Sequence, residues 1–201
     1  MDSATPQSFD PSRFYLTTAT KDPFGHEYTV TYDDYALLTT QTTDSLGNNI
    51  QVKNDYRVMQ PQRIIDPNQN HAVVAFDILG MVAGTAVLGK VNAAGQSESG
   101  DSLESFVTDL TAQQLQEFVR SPRTIAVELL GKATTRIIYD LECFQESGQP
   151  LFAATIAREN HVNSPNGNPS IVQVSFSYSD GFGREIQRFS SICSTVSSPC
   201  Q

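Results

Sequence analysis

The sequence predicts a mainly β protein, an array of antiparallel β-hairpins with a short helical insertion, and three observations predict it. Asp22, Asp44 and Asp66 stand at equal steps, 44 − 22 = 22 and 66 − 44 = 22. Two further sets keep the same step: Tyr32-Asp33, Asn54-Asp55 and Phe76-Asp77, and then Val30, Val52 and Val74. Between these marks the side chains alternate with the period of two that suits a half-buried strand. Self-similarity at a fixed period marks a repeat architecture, in which one supersecondary unit cannot bury its apolar face alone and leans on its neighbours.

Residues 1–19 are polar and Ser/Thr-rich and read as a lead-in strand with a frayed start. Residues 20–90 hold the hairpin repeats. Twenty-two residues accommodate two strands of about seven and two turns of about four. The turns are the tetrads Asp22-Pro23-Phe24-Gly25, Asp44-Ser45-Leu46-Gly47 and Asp66-Pro67-Asn68-Gln69. In each, Asp can accept a hydrogen bond from an amide further along; Pro presets φ, and Gly permits positive φ near the end. Tyr28, Val30 and Tyr32 face one side with Thr29 and Thr31 on the other, and Ile50, Val52, Asn54 and Ala72, Val74, Phe76 match them in the next two units. Return strands run through Leu37–Thr40, Met59–Gln62 and Met81–Gly84, with Pro61 making its strand an edge or irregular there.

Residues 91–132 form a linker and helical insertion. The stretch 91–102 reads as an exposed linker. Leu103, Phe106, Val107 and Leu110 follow helical spacing, as do Leu115, Phe118 and Val119, and Thr111 with Gln114 is a capping-box pattern. Pro122 starts a further helix through Ile125, Ala126, Leu129 and Leu130, with Gly131 as its stop. Both apolar stripes are expected to pack on a sheet. Residues 133–192 return to hairpins: strands over 134–144, 151–162 and 171–178, the last alternating through Val172, Val174, Phe176 and Tyr178, then a strand to Ile192 and a tail over 193–201.

The chain has 201 residues, a net charge of −9 and a pI near 4.7. Without a Lys/Arg cluster to neutralise phosphates, nucleic acid and anionic membrane surfaces are poor partners. No apolar run approaches the roughly 20 residues of a membrane span. The amino terminus lacks the basic-then-apolar order of a secretory signal, so the protein is expected to stay inside or to leave by a route that reads no such signal. Cys143, Cys193 and Cys200 have neither metal-site nor CxxC spacing, and a Cys193–Cys200 bridge is disfavoured.

Residues that could carry chemistry do not converge. A calcium ladder on Asp22, Asp44 and Asp66 would need several carboxylates near one point, so turn capping is the better reading. His26, His71 and His161 share no offset, and no Gly-x-Ser-x-Gly elbow occurs. Asp140, Glu142 and Glu146 could be paired acids only across a cleft, and strand alternation would place Asp140 and Glu142 on one solvated face. Gly181-Phe182-Gly183-Arg184 lacks the strand–loop–helix context of phosphate binding and reads as a hairpin turn. No cofactor, no metal and no catalytic role is expected.

The heptad Tyr178-Ser179-Asp180-Gly181-Phe182-Gly183-Arg184 resembles the Tyr-x-Asp-x-x-Gly-Arg signature of RHS or YD-repeat proteins. The tetrads at Asp22, Asp44 and Asp66, with Phe76-Asp77-Ile78-Leu79-Gly80, match the other half of that unit. Together with Tyr139-Asp140 and the helical insertion, residues 12–190 are similar to the YD-repeat portion of the B component of insecticidal toxin complexes. The signature positions carried over are Asp22, Gly25, Tyr32, Asp33, Asp44, Gly47, Asp66, Phe76, Asp77, Gly80, Tyr139, Asp140, Tyr178, Asp180, Gly183 and Arg184.

The resemblance implies a hollow shell wound from β-hairpins, built with a C component, that encloses a cytotoxic segment delivered by an A component. This chain would then be a stretch of wall whose residues act structurally, secreted with its complex or cytoplasmic before release. The repeat departs from its step at position 88, which is Leu88, and family members are many times longer, so the chain is expected to be a fragment or a truncated relative. The alternatives are a carbohydrate- or cell-surface-binding β-repeat module, drawing on seven Tyr and eleven Phe, and a degenerate fragment without a function of its own.

Overall fold

The computed structural model describes residues 7–90, 100–162, 171–182 and 184–193, and the predicted class holds. Among these residues there are twelve strands, three α-helices and one 3-10 turn. The chain divides into two compact units, Met1–Ala72 and Val73–Gln201.

The first unit is an antiparallel meander of β1 (Gln7–Asp10), β2 (Leu16–Lys21), β3 (Glu27–Tyr32), β4 (Thr39–Thr43), β5 (Asn49–Asp55) and β6 (Gln60–Ile65), each paired with its neighbour in sequence. The register sets Val30 opposite Thr42, Thr42 opposite Ile50, and Val52 opposite Ile64. Because side chains alternate, Tyr28, Val30, Ile50, Val52 and Ile64 share one face. Thr29, Thr31, Gln41, Thr43, Gln51, Lys53 and Arg63 share the other. The register shifts after Thr31 and again after Lys53, leaving Thr40 and Gln62 as the extra residues of two bulges 62 − 40 = 22 positions apart. Pro61 sits beside the second bulge, so the irregularity expected of its strand is present.

No hydrophobic side chain among this unit's described residues is buried; the buried ones are Asp33 and His71. A strand pair or small sheet of this kind is marginal without cover.

The second unit supplies a core. β7 (His71–Phe76) leads into it, and β8 (Val82–Leu88), β9 (Thr135–Asp140), β10 (Leu151–Arg158), β11 (Val172–Ser179) and β12 (Glu185–Cys193) pair antiparallel in that order. Alternation buries Ile138 on β9, Phe152, Ala154 and Ile156 on β10, and Val172, Val174 and Phe176 on β11. Helices α1 (Ala112–Arg120) and α2 (Pro122–Leu130) cover that face with Phe118, Ala126, Leu129 and Leu130. The capping box at Thr111 is formed, with the Gln114 amide donating to its hydroxyl and the Thr111 amide donating to the Gln114 side chain.

Three expectations are corrected. Residues 103–110 form turns rather than a helix, because polar neighbours divert the backbone: Ser102 Oγ accepts from Glu104 N, Ser105 adopts a positive φ of 61°, and Asp109 accepts from Ile78 N. Leu103, Phe106 and Leu110 still pack on the core from those turns. The strand expected to reach residue 144 ends at Asp140, whose carboxylate takes the amides of Glu142 and Cys143 and turns the chain into α3 (Cys143–Ser147). Asp140 and Glu142 therefore do not share a strand face. Asp101, at the end of the stretch read as an exposed linker, is buried. Residues 91–99, 163–170 and the tail with Cys200 lie outside the described residues.

Candidate functional surface: the aspartate turns

The two aspartate sets interleave. Asp22, Asp33, Asp44, Asp55, Asp66 and Asp77 follow one another every eleven residues, 33 − 22 = 11, and each stands at a strand-to-strand turn. Sequence reasoning found the two halves, Asp55 among them, at a step of 22 and missed the combined step.

One five-residue geometry recurs. At Asp44 the backbone amide donates to the Asn48 carbonyl (3.0 Å), and the Gly47 amide donates back to the Asp44 carbonyl (3.0 Å). Its Oδ1 accepts from the amides of Leu46 (2.9 Å) and Asn48 (2.8 Å), and its Oδ2 from the Asn48 side chain (2.7 Å). Asp22 repeats this with Phe24, Gly25 and His26, Asp66 with Gln69 and Asn70, and Asp77 with Gly80 and Met81. At Asp180 the fifth residue is Arg184, whose guanidinium meets the carboxylate at 2.6 Å; Gly183 lies outside the described residues. The fourth position needs a left-handed backbone, which Gly47 (φ 84°) adopts without strain and Gln69 (φ 63°) does not.

The carboxylates are thus occupied by their own turns. The Asn48 side chain, then its amide, hold the Asp44 carboxyl below its ordinary value. At Asp22 burial pushes the carboxyl up, but the His26 amide and imidazole and the Phe24 amide more than offset it, and the net shift is downward. Among the described residues no group of three His, Cys, Asp or Glu could hold a metal ion. Glu142 stands at the N-cap position of α3 without a side-chain capping hydrogen bond, Asp140 taking the Cys143 amide instead, and the side chain of Glu146 lies outside what is described.

The Asp33 turn links units one repeat apart. Asp33 accepts from the Leu37 amide (2.8 Å) and from the Tyr56 hydroxyl (2.7 Å), while its carbonyl accepts from Arg13 (3.0 Å). The hydrogen bond to Asp33, aided by burial, pushes the Tyr56 phenol up to about 12. Tyr32 and Asn54, one step apart, both reach back fifteen residues, to the carbonyls of Thr17 (3.2 Å) and Thr39 (2.9 Å). Phe76 keeps the phase without a donor and is buried. Tyr139 donates to the Val82 carbonyl, and Tyr178 packs against Phe152 and Phe176.

What these turns present is apolar. Phe24, Leu46 and Phe182, each two residues after a turn aspartate that holds its amide, are more than four-fifths exposed. Phe182 also lines a concavity of about 400 Å³ with Phe144, Leu151 and Ile186.

Buried polar groups that the sequence reading passed over anchor the insertion. Arg136 donates from Nε to the Leu129 carbonyl (2.5 Å) and from Nη2 to that of Val107 (2.7 Å), and lies 4.0 Å over the Phe106 ring. Arg158 donates to the carbonyls of Ala133 (2.6 Å) and Gly131. Each guanidinium satisfies one carbonyl left over at the end of α2, Arg136 that of Leu129 and Arg158 that of the cap residue Gly131, where a cation also suits the helix dipole. Asp101 ties Thr134, His161 and the Val162 amide together. The only clue in the sequence was charged residues inside otherwise apolar strands.

No protein-family model matches the chain, and no curated protein sequence does. Solved structures match. The crystal structure of TcdB2–TccC3 aligns with a TM-score of 0.72 over 92% of this chain at 19% identity, and a Photorhabdus luminescens Tc holotoxin pore with 0.68 over 92% at 15% identity. This chain spans 8% and 11% of those chains, respectively. At such identities the likeness is one of fold, and the fold of this chain is that of a stretch of the TcdB2–TccC3 structure.

Proposed function

We propose that the chain serves as a wall segment of a toxin-complex shell, in which its hairpins help to enclose a cytotoxic cargo alongside B- and C-type subunits. One observation carries the reading: an uncovered meander of aspartate-closed hairpins, followed by a helix-backed sheet, follows the TcdB2–TccC3 backbone over 92% of the chain. The role is structural and not catalytic. The turn carboxylates are spent on backbone amides, and the recurring geometry is that of a repeat, which suits masonry. Such a segment would be made in the cytoplasm and leave with its complex.

Grafting tests this. The chain replaces the stretch of TcdB2–TccC3 that it matches, the chimeric complex is assembled, and protease resistance of the cargo is measured. Assembly with a protected cargo is the expected result. Assembled particles whose cargo is digested as fast as free cargo would sink the reading. Specific retention of glycans by the isolated chain, lost on Phe24→Ala and Phe182→Ala, would favour a carbohydrate-binding module instead.

A further inference from the structure

One side-chain pair on neighbouring strands plays no part in the wall role proposed above. Arg63, near the end of β6, donates from Nη2 to Nδ1 of His71, the first residue of β7, at 2.5 Å. His71 is buried, 8% exposed. A guanidinium offers donors only, so Nδ1 must present a lone pair and the ring proton must sit on Nε2. A second proton would set N–H against N–H and two positive charges at contact distance.

We propose that the Arg63–His71 pair makes the Asp66 turn acid-labile: the turn is closed at neutral pH and opens when His71 becomes an imidazolium.

The surroundings reinforce the conflict. Lys53 on β5 stands directly opposite Arg63 and adds a third basic group to the same face. Asp66 is the carboxylate acting on His71 from the turn, and both its oxygens are already engaged by Asn70. The next strand along the chain, Val82–Leu88, carries no ionisable side chain. Burial, then Arg63, hold the imidazole below its ordinary 6.5, with Asp66 opposing. The sign follows: with the folded value depressed, the neutral form's contribution is complete above 6.5 and is lost as pH falls towards the folded value.

The molecule contains its own control. One step earlier the Asp44 turn has the same backbone and carboxylate bonds, but Gln41 and Asn49 occupy the positions of Arg63 and His71. Amide hydrogen exchange of the full chain is followed at about pH 7.5 and about pH 5.5, spanning the histidine window. Protection of the Asp66, Gln69 and Asn70 amides is divided by that of Asp44, Gly47 and Asn48. The ratio should drop on acidification in the wild type and stay constant in His71→Gln, whose amide oxygen accepts from Arg63 at either pH. An unchanged ratio in the wild type, or an equal drop in His71→Gln, overturns the proposal. If that variant fails to fold, the wild-type imidazole titration decides: a midpoint at or above 6.5 overturns it, and one below supports it.

Discussion

At the scale of single residues, the turn aspartate does two jobs with one carboxylate, closing the backbone and fixing the residue at the tip. Its negative charge is favoured by the donors around it, so protonation weakens the turn. For Asp44 the folded value lies below the ordinary 3.8, so its contribution is present above 3.8 and is lost as pH falls through the folded value. Asp44→Asn should flatten that acid limb of stability, read from urea midpoints across the range. Gln69 holds a left-handed backbone where other repeats have glycine, so Gln69→Gly should stabilise the protein by about 1 kcal/mol in the same assay. Gly84 shows the opposite constraint. A Cβ there would lie 2.4 Å from the Phe106 ring and 3.0 Å from the Thr135 carbonyl, beneath the ring that Arg136 covers. Gly84→Ala should cost about 1–3 kcal/mol by overpacking, measured by thermal unfolding.

At the scale of elements, strand positions and the two helices were legible because their signals are local. Aspartate-glycine turns, period-two alternation and the Thr111 box each act within a few residues. Residues 103–110 show where that stops. Leu103, Phe106 and Leu110 bear the spacing of a helix and reach the core, yet Ser102 takes the Glu104 amide in a local turn, Asp109 takes the Ile78 amide from another segment, and the chain turns instead. The helices are the roof of the core rather than an appendage. Phe118 is fully buried and stacks on Phe176 at 5.6 Å, so Phe118→Ala should cost about 3–5 kcal/mol by calorimetry. The exposed neighbour in Val119→Ala should change stability by less than about 0.5 kcal/mol.

At the scale of the whole molecule, the first unit has an apolar face without a buried hydrophobic among its described residues. Among the described residues β1 pairs only with β2, and β12 only with β11. Such edges are templates for further strands. The isolated chain should therefore associate with rising concentration, and sedimentation velocity that finds only monomer would count against a wall segment. The sequence by itself determined the repeat, its turns and the class of fold, because each rests on backbone rules read within one hairpin. Only the tertiary structure decided that Arg136, Arg158 and Asp101 are buried tethers and that Arg63 faces His71. Those contacts join residues on different elements, where partner and distance depend on how strands register and helices dock, and neither is written in local spacing.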